Sequence, residues 1–145
     1  MVYTVGEMAK RLHIAPSTLR YYDKEGLLPF LERSEGGIRM FKEEDFAFLS
    51  VIECLKKTGM SIKDIKVFID WCMEGDTTIA QRLTLIKEQR ESVLLQIEQM
   101  QQTLAMLNYK QWYYETAQIA GTCSVHQTMT LEDIPEEFHE VSGKK

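Results

Sequence analysis

A run of apolar residues spaced alternately four and three positions apart most constrains how this chain can fold. The run begins at Ile79 and continues to Leu107, with Arg90 as a polar member at the same spacing. Its apolar members are Ile79, Leu83, Ile86, Val93, Ile97, Met100, Leu104 and Leu107. A repeat of about 3.5 residues is typical of a coiled-coil seam. The pattern predicts one helix about 45 Å long over residues 78–107, at about 1.5 Å per residue.

The rest of the chain contains no second helical pattern long enough to cover this apolar seam. An apolar seam that its own chain leaves uncovered is buried against another chain, because exposed apolar surface is unfavourable in water. The sequence therefore predicts a homodimer, with residues 76–116 as the dimerisation helix and its aromatic end. Arg90 at a core position would disfavour some registers and so fix how the two helices pair.

The N-terminal segment carries the signals of two short helices joined by a tight turn. Thr4 and Glu7 form a capping box for the first helix. Pro16 fits the first turn of the second helix, and Gly26 fits its left-handed end. Since only residues 13–15 separate the two helices, the pattern predicts a helix-turn-helix whose second helix would enter the DNA major groove.

The second helix begins with side chains that suit contact with DNA. Arginine bonds guanine or phosphate, and serine, threonine and tyrosine hydroxyls bond phosphate oxygens. The residues predicted to contact DNA from this helix are Ser17, Thr18, Arg20, Tyr21 and Tyr22. The same composition also fits a helix with Leu19 in the core and its aromatic side chains packed beside it. The preceding helix and turn favour the DNA-binding interpretation.

A small hairpin, or wing, is predicted to follow over residues 33–41. Gly36 and Gly37 supply its turn, since glycine adopts the backbone angles that tight hairpin turns require. Arg39 lies just after the turn and is the predicted contact with phosphate or with the minor groove.

Two further helices complete a predicted N-terminal domain over residues 1–75. The third is predicted over residues 42–58, and the fourth begins at the cap residue Ser61. Lys56 and Lys57 lie in the last turn of the third helix. They are predicted DNA contacts, although lysines at this position also simply favour the helix dipole.

The net charge of −5 lies entirely in the second half of the chain. Residues 1–72 carry 11 basic and 11 acidic side chains, whereas residues 73–145 carry 6 and 11. A DNA-binding face in a neutral domain requires its basic residues to be focused on one side. The residues expected to form that side are Lys10, Arg11, Arg20, Lys24, Arg39 and Lys42.

Three cysteines at wide spacing, Cys54, Cys72 and Cys123, do not match the ligand spacing of a structural zinc site. The sequence therefore predicts no metal and no cofactor, with Cys72 as a buried apolar residue. No nucleophile–base pair or phosphate-binding loop is visible, so no enzymatic activity is predicted. No signal pattern or membrane-spanning segment is visible either, and we expect a cytoplasmic protein without a membrane partner.

The end of the chain allows fewer conclusions. The Tyr109–Glu115 segment contains four aromatic residues, which either form a cage for a ligand or pack against a neighbouring helix. Packing is the favoured interpretation, and in a dimer the neighbour would belong to the other subunit. Residues 117–145 are predicted to form a tail with at most a short helix, in which His126 and His139 are solvated.

Three spaced motifs, Met8–Lys10, Ser17–Pro29 and Arg39–Phe41, resemble the N-terminal domain of the MerR family of bacterial transcription regulators. The resemblance covers Tyr3–Glu74. It implies a mainly α protein with a winged helix-turn-helix domain and an antiparallel coiled-coil dimer. It also implies that the dimer binds double-stranded promoter DNA with an overlong spacer and distorts it so that RNA polymerase engages. Phe41 replaces a tyrosine usual in the family and is predicted to pack.

Further segments resemble the thiol-based, aldehyde-responsive AdhR/NmlR-like branch of that family. They are the surroundings of Cys54, Gly59–Lys63, Gly75-Asp76, Arg82 and Tyr109–Glu115. The resemblance implies a stress-response regulator in which formaldehyde, methylglyoxal or nitrosating species act on Cys54. Spacing alone also fits a packed, inert Cys54. The alternative is a constitutive or small-ligand-responsive regulator without a thiol switch.

Overall fold

Five α-helices and three short strands make up the computed structural model, which describes residues 1–145. The strands are β1 (Val2–Tyr3), β2 (Glu32–Arg33) and β3 (Arg39–Lys42). The helices are α1 (Val5–Leu12), α2 (Pro16–Lys24), α3 (Asp45–Lys57), α4 (Ile62–Glu74) and α5 (Ile79–Ala120). The chain divides into two compact units, residues 1–92 and residues 93–145. The prediction of a mainly helical protein with a winged helix-turn-helix and a long helix is confirmed.

Helices α1 and α2 form the predicted helix-turn-helix. The Thr4 hydroxyl accepts the Glu7 N–H, and the Glu7 carboxylate accepts the Thr4 N–H, each at 3.1 Å. This capping box satisfies two backbone donors at the start of α1. The chain leaves α1 at His13 with a φ of 58°, which is the left-handed conformation that commonly ends a helix. Pro16 then occupies the first turn of α2, so the connection is as short as the sequence indicated.

Strand β3 lies at the centre of a three-stranded antiparallel sheet, between β1 and β2. Strands β2 and β3 are the predicted wing, and Arg33 lies opposite Arg39 across them. Strand β1 was not predicted, because two residues are too short to show an alternating pattern. In β3, Phe41 is fully buried, which confirms that it packs.

Helix α3 begins three residues later than predicted, because Lys42 is the last residue of β3. The Asp45 carboxylate accepts the Lys42 N–H at 2.8 Å and so joins the strand to the helix. Asp45 is buried, and this burial raises the pKa of its carboxyl. The acidic residues before α3, interpreted from the sequence as its first turn, instead form the connection from the sheet.

The core of the first unit draws on α1 to α4 and β3. Its buried members are Met8, Ala9, Leu19, Tyr22, Leu27, Leu28, Phe41, Leu49, Ile52, Leu55, Ile65, Phe68 and Ile69. Cys72 and Leu85 are partly buried and pack against this cluster. Leu85 belongs to α5, so the first turns of the long helix pack on the N-terminal core.

The connection from α4 to α5 is held by hydrogen bonds. Gly75 adopts a φ of 89°, which ends α4, and a single 3₁₀ turn over Asp76–Thr78 follows. The buried Thr78 hydroxyl lies 2.8 Å from the Gly75 carbonyl oxygen, and Arg82 Nη2 donates to the same oxygen at 2.8 Å. The Thr58 hydroxyl, at the end of α3, also lies 3.0 Å from the Gln89 side-chain amide oxygen. These bonds fix the first turns of α5 within the N-terminal unit.

The C-terminal residues fold onto the aromatic end of α5 within the same chain, which differs from the predicted tail. Ile134 and Phe138 are buried against Tyr109, with Trp112, Tyr113 and Val141 packed around them. Their segment contains three 3₁₀ turns, over Cys123–Thr128, Leu131–Asp133 and Glu136–Phe138. The aromatic residues therefore pack as favoured, but their neighbour lies in their own chain.

His126 is buried, so the prediction that it is solvated is wrong. Its ring stacks on Tyr113 with centroids 3.6 Å apart, and its Nε2 lies 2.9 Å from the Tyr113 carbonyl oxygen. His139, which is half-buried, similarly lies 2.7 Å from the Ile134 carbonyl oxygen. The sequence pattern was too weakly apolar to show this packing, because one of its contributors is the polar ring of His126. Separately, none of the helices has the length and apolar character needed to cross a membrane.

Candidate nucleic-acid interface

Helix α2 has one buried face and one exposed polar face. Leu19 and Tyr22 are buried in the core of the first unit. Ser17, Arg20 and Tyr21 are exposed, and no ion pair engages Arg20. Thr18 is half-buried beside them. The exposed side chains are an arginine and two hydroxyl groups, which are suited to bonding base edges and phosphate oxygens.

Tyr22 is the exception among the DNA contacts predicted on this helix. It is only 3% exposed, and its hydroxyl donates to the Glu53 carboxylate of α3. Burial and this carboxylate raise the pKa of Tyr22. Tyr22 therefore cannot offer its hydroxyl to phosphate, and the prediction for this residue is wrong. Adjacent residues on a helix point about 100° apart, and here Tyr22 faces the core while Tyr21 is exposed.

The wing is joined to α2 through a single carboxylate. Asp23 Oδ2 accepts Arg33 Nη2 at 2.5 Å and Arg39 Nε at 2.7 Å. Arg33 Nη1 also donates to the Gly37 carbonyl at 3.0 Å, which ties the arginine to the wing turn. Both Arg39 Nη groups stay available to a further partner. We find Arg39 fixed beside the recognition helix α2, and Asp23 is a residue that sequence reasoning missed.

Three of the six residues expected to form a basic face are paired with carboxylates, and one of them is Arg39, which pairs with Asp23. Arg11 Nη1 donates to Glu43 at 2.7 Å, and Tyr3 donates to the same carboxylate. The hydrogen bonds from Arg11 lower the pKa of Glu43 to about 2. Lys42 pairs with Glu32 at 2.6 Å. The residues that remain exposed without an ion pair are Lys10, Arg20 and Lys24.

The C-terminal half of α3 exposes two lysines and a thiol. Lys56, Lys57 and Cys54 are exposed, whereas Ile52 and Leu55 on the same helix are buried. The exposed position of Cys54 excludes the interpretation of a packed residue within this chain. Cys123 is also exposed. No group of three or more histidine, cysteine or acidic side chains is arranged to hold a metal ion.

The apolar heptad residues of α5 are largely exposed in the single chain. Val93 is half-buried, and the other seven seam residues are 43% to 68% exposed. Ile97, Met100 and Leu104 line an open groove on the helix surface, together with Leu107. Arg90 is exposed and pairs with Glu91 at 3.4 Å. Nothing in the chain covers this stripe, as the heptad pattern indicated.

Comparison with known proteins places this arrangement among transcription regulators. Residues 3–70 match the family model described as MerR HTH family regulatory protein. An HTH-type transcriptional regulator of Haemophilus influenzae that has not been characterised is 43% identical over 136 residues. The match covers 94% of this chain and 98% of that protein. The transcriptional regulator AdhR of Bacillus subtilis is 31% identical over 90 residues, which cover 62% of this chain and 64% of AdhR.

A solved structure shares both the fold and much of the sequence. It is the crystal structure of HiNmlR, described as a MerR family regulator lacking the sensor domain, bound to promoter DNA. The similarity has a TM-score of 0.79 and 43% sequence identity, and it covers 86% of this chain and 99% of HiNmlR. The resemblance to AdhR and NmlR that the sequence motifs indicated is thereby confirmed.

Proposed function

Because the chain belongs to the MerR family of helix-turn-helix transcription regulators, we propose that it binds a promoter as a homodimer and is switched by electrophilic modification of Cys54. As a member of this family it is a DNA-binding regulator and not an enzyme. The observation that carries the proposal is the exposed polar face of α2, held beside a wing arginine in a chain whose relative HiNmlR was solved on promoter DNA.

Promoter recognition is assigned to the exposed face of α2 and to the wing. Arg20 and Tyr21 project from the outer face of α2, where a recognition helix meets base edges and phosphates. Arg39 supplies two free Nη groups for a phosphate or for the minor groove. Lys56 and Lys57 add positive charge at the end of α3, which supports contact with the DNA backbone.

Dimerisation is assigned to the exposed heptad stripe of α5. Burying a leucine or isoleucine side chain gains about 1.5–3 kcal/mol, so a stripe of this length favours association strongly. A second copy presents the same apolar stripe, so the two stripes can bury each other symmetrically. Two recognition helices held at a fixed separation then read two half-sites. A dimer that distorts the promoter between its half-sites would allow RNA polymerase to engage.

The switch is assigned to Cys54, because its thiol is exposed at the end of a helix bonded to the recognition helix. The Cys54 thiolate attacks the carbonyl carbon of an aldehyde, and the C=O π bond breaks. The oxygen then takes a proton, which gives a hemithioacetal; with formaldehyde this adduct carries an S-hydroxymethyl group. Glu53, the residue before Cys54, bonds Tyr22 of α2. This bond provides a direct link from α3 to the recognition helix.

A modification at Cys54 changes transcription only if it binds one conformation of the dimer better than the other. A shift from mostly inactive to mostly active requires a differential free energy of a few kcal/mol. The adduct adds volume and a polar group at the residue next to Glu53, whose carboxylate accepts the Tyr22 hydroxyl of α2, and we propose that it changes the position of α2 through this bond. The switch is thus a local change at α3 that alters transcription from the promoter.

A promoter reporter tests this function directly. Cells carrying the wild-type regulator should increase expression when formaldehyde is added. The Cys54→Ala variant should still protect the operator in a footprint but give no aldehyde response. Cys123→Ala is the matched control, since Cys123 is also exposed, and it should respond normally. Full induction of the Cys54→Ala protein would contradict the thiol switch, and loss of operator protection by the wild type would contradict promoter binding.

A further inference from the structure

We infer that Asp23 is a specificity-determining residue that acts through the wing arginines Arg33 and Arg39. The inference rests on the DNA-binding part of the proposed function and does not depend on the Cys54 switch. Asp23 lies near the end of α2, and its side chain is 15% exposed. Its role follows from the unusual pairing of charges in the wing.

Arg33 and Arg39 lie directly opposite each other across β2 and β3. Two like charges at paired positions of an antiparallel hairpin repel each other and destabilise the pair. Asp23 Oδ2 accepts a hydrogen bond from each guanidinium, at 2.5 Å from Arg33 and 2.7 Å from Arg39. One carboxylate from the recognition helix therefore offsets the repulsion and sets the positions of both arginines.

The two arginines use this carboxylate differently. Arg33 donates through Nη2 to Asp23 and through Nη1 to the Gly37 carbonyl, so it braces the wing turn. Arg39 donates only through Nε, which leaves the two Nη groups as a fixed pair of donors. A guanidinium held in this way presents a planar fork, which matches phosphate oxygens in one orientation.

Removing the carboxylate should therefore change binding in two opposite directions. The arginines become mobile charges with no local counter-ion, which strengthens attraction to any phosphate backbone. The fixed geometry that places Arg39 relative to α2 is lost at the same time, which weakens the contribution of the wing at the operator. Affinity for random DNA should rise while discrimination falls, and a residue with only a structural role would lower both affinities.

The test compares Asp23→Asn with the wild-type dimer on the footprinted operator and on a random duplex of the same length, across a range of salt concentrations. Asp23→Asn should bind the random duplex several-fold more tightly, and its salt dependence should steepen by about one unit. The operator-to-random affinity ratio should fall by about tenfold. Asp23→Glu keeps a carboxylate and should restore the wild-type salt dependence.

Glu25→Gln is the matched charge control, because Glu25 is exposed at the C-cap of α2, two residues after Asp23, and makes no ion pair. It removes one negative charge without touching the wing, so its affinity ratio should stay near that of the wild type. The double variant Asp23→Asn/Arg33→Gln removes the uncompensated charge and should return random-duplex affinity to the wild-type value. Because a misfolded protein would not regain wild-type affinity, this double variant also distinguishes the effect of the uncompensated charge from a loss of folding.

Three results would overturn the inference. They are an unchanged affinity ratio in Asp23→Asn, an equal change in Glu25→Gln, and a parallel fall in affinity for both duplexes. A wild-type protein that does not prefer the operator would instead contradict promoter recognition itself. The wild-type ratio, measured first, therefore distinguishes failure of the proposed function from failure of the role of Asp23.

Discussion

The core of residues 1–92 and the heptad stripe of α5 use the same kinds of residue in opposite ways. Leu19, Ile52 and Ile65 are fully buried by the helices around them. Leu104 and Ile97, also apolar and also helical, are about half exposed. The difference lies in spacing, because apolar residues in α1 to α4 form short faces that close on each other within the chain. A heptad stripe is straight and long, and only another long helix matches it.

This contrast separates what the chain stabilises alone from what a second copy supplies. Each buried leucine or isoleucine in the N-terminal core contributes about 1.5–3 kcal/mol without a partner. The α5 stripe gains the same kind of stabilisation only on association. The N-terminal unit should therefore fold in a monomer, whereas the stripe should respond to dimerisation alone.

The largest expected effect is on association. Ile97→Asp places a carboxylate in the seam, where burying an unpaired charge costs several kcal/mol. The variant should be monomeric by light scattering and should lose operator binding, since two half-sites require two linked heads. Gln102→Asp, on the opposite side of the same helix, should remain dimeric. Dimers of Ile97→Asp at wild-type stability would place the interface elsewhere.

Substitution in the core should act independently of dimerisation. Leu19→Ala should lower the free energy of unfolding by about 2–5 kcal/mol, because it leaves a cavity beneath α2. Leu19→Ala should cause the same loss of stability in the wild-type dimer and in the Ile97→Asp monomer. Amide hydrogen exchange in α1 to α4 measures this loss in both. Leu104→Ala in the monomer should cost less than about 0.5 kcal/mol. A large cost for Leu104→Ala in the monomer would show that the stripe is already packed within the chain.

The two faces of α2 provide a smaller version of the same contrast. Arg20→Ala should weaken operator binding by about 1–3 kcal/mol if the side chain reads a base. A phosphate contact would instead weaken all sequences alike and flatten the salt slope by about one unit. Tyr22→Phe, on the buried face, removes the bond to Glu53 and should destabilise the fold, but its salt slope should stay at the wild-type value because Tyr22 contacts no phosphate. Unchanged operator affinity in a folded Arg20→Ala protein would remove Arg20 from the interface.

The smallest effect concerns the exposed Arg11–Glu43 pair. Its hydrogen bonds lower the pKa of Glu43 to about 2, below the ordinary value of 4.5. The stability that the ionised Glu43 carboxylate contributes is fully present at a pH above its ordinary pKa and is lost as the pH falls toward 2. The difference in unfolding temperature between the wild type and Glu43→Gln should therefore shrink over that interval. A difference that does not vary with pH would contradict this pairing.

Most of the fold could be predicted from local patterns in the sequence. The Thr4 capping box, the short turn before Pro16 and the heptad of α5 depend on residues close together in the chain, so spacing alone reveals them. The candidate nucleic-acid interface was harder to predict from the sequence, because it depends on contacts between residues that are distant in the chain. Asp23 meets Arg39 across 16 positions, and Tyr22 meets Glu53 across 31. Hydrogen bonds over such separations leave no periodic signal in the sequence.

The C-terminal segment shows the same limit in another form. Its burial depends on His126 stacking on Tyr113 and on two residues, Ile134 and Phe138, that reach back to α5. A few contacts of this kind are too sparse to produce a hydropathy pattern. The aromatic residues of α5 signalled packing, but their partner could be found only from the folded chain.

Two copies of this chain, joined through α5, should occupy one promoter site. Native mass spectrometry of the wild-type protein on its footprinted operator measures the number of copies directly. The complex should exceed the mass of the duplex by twice the chain mass of 16.9 kDa. A stable complex that contains one chain per operator would contradict the claim, because the heptad stripe would then have no partner.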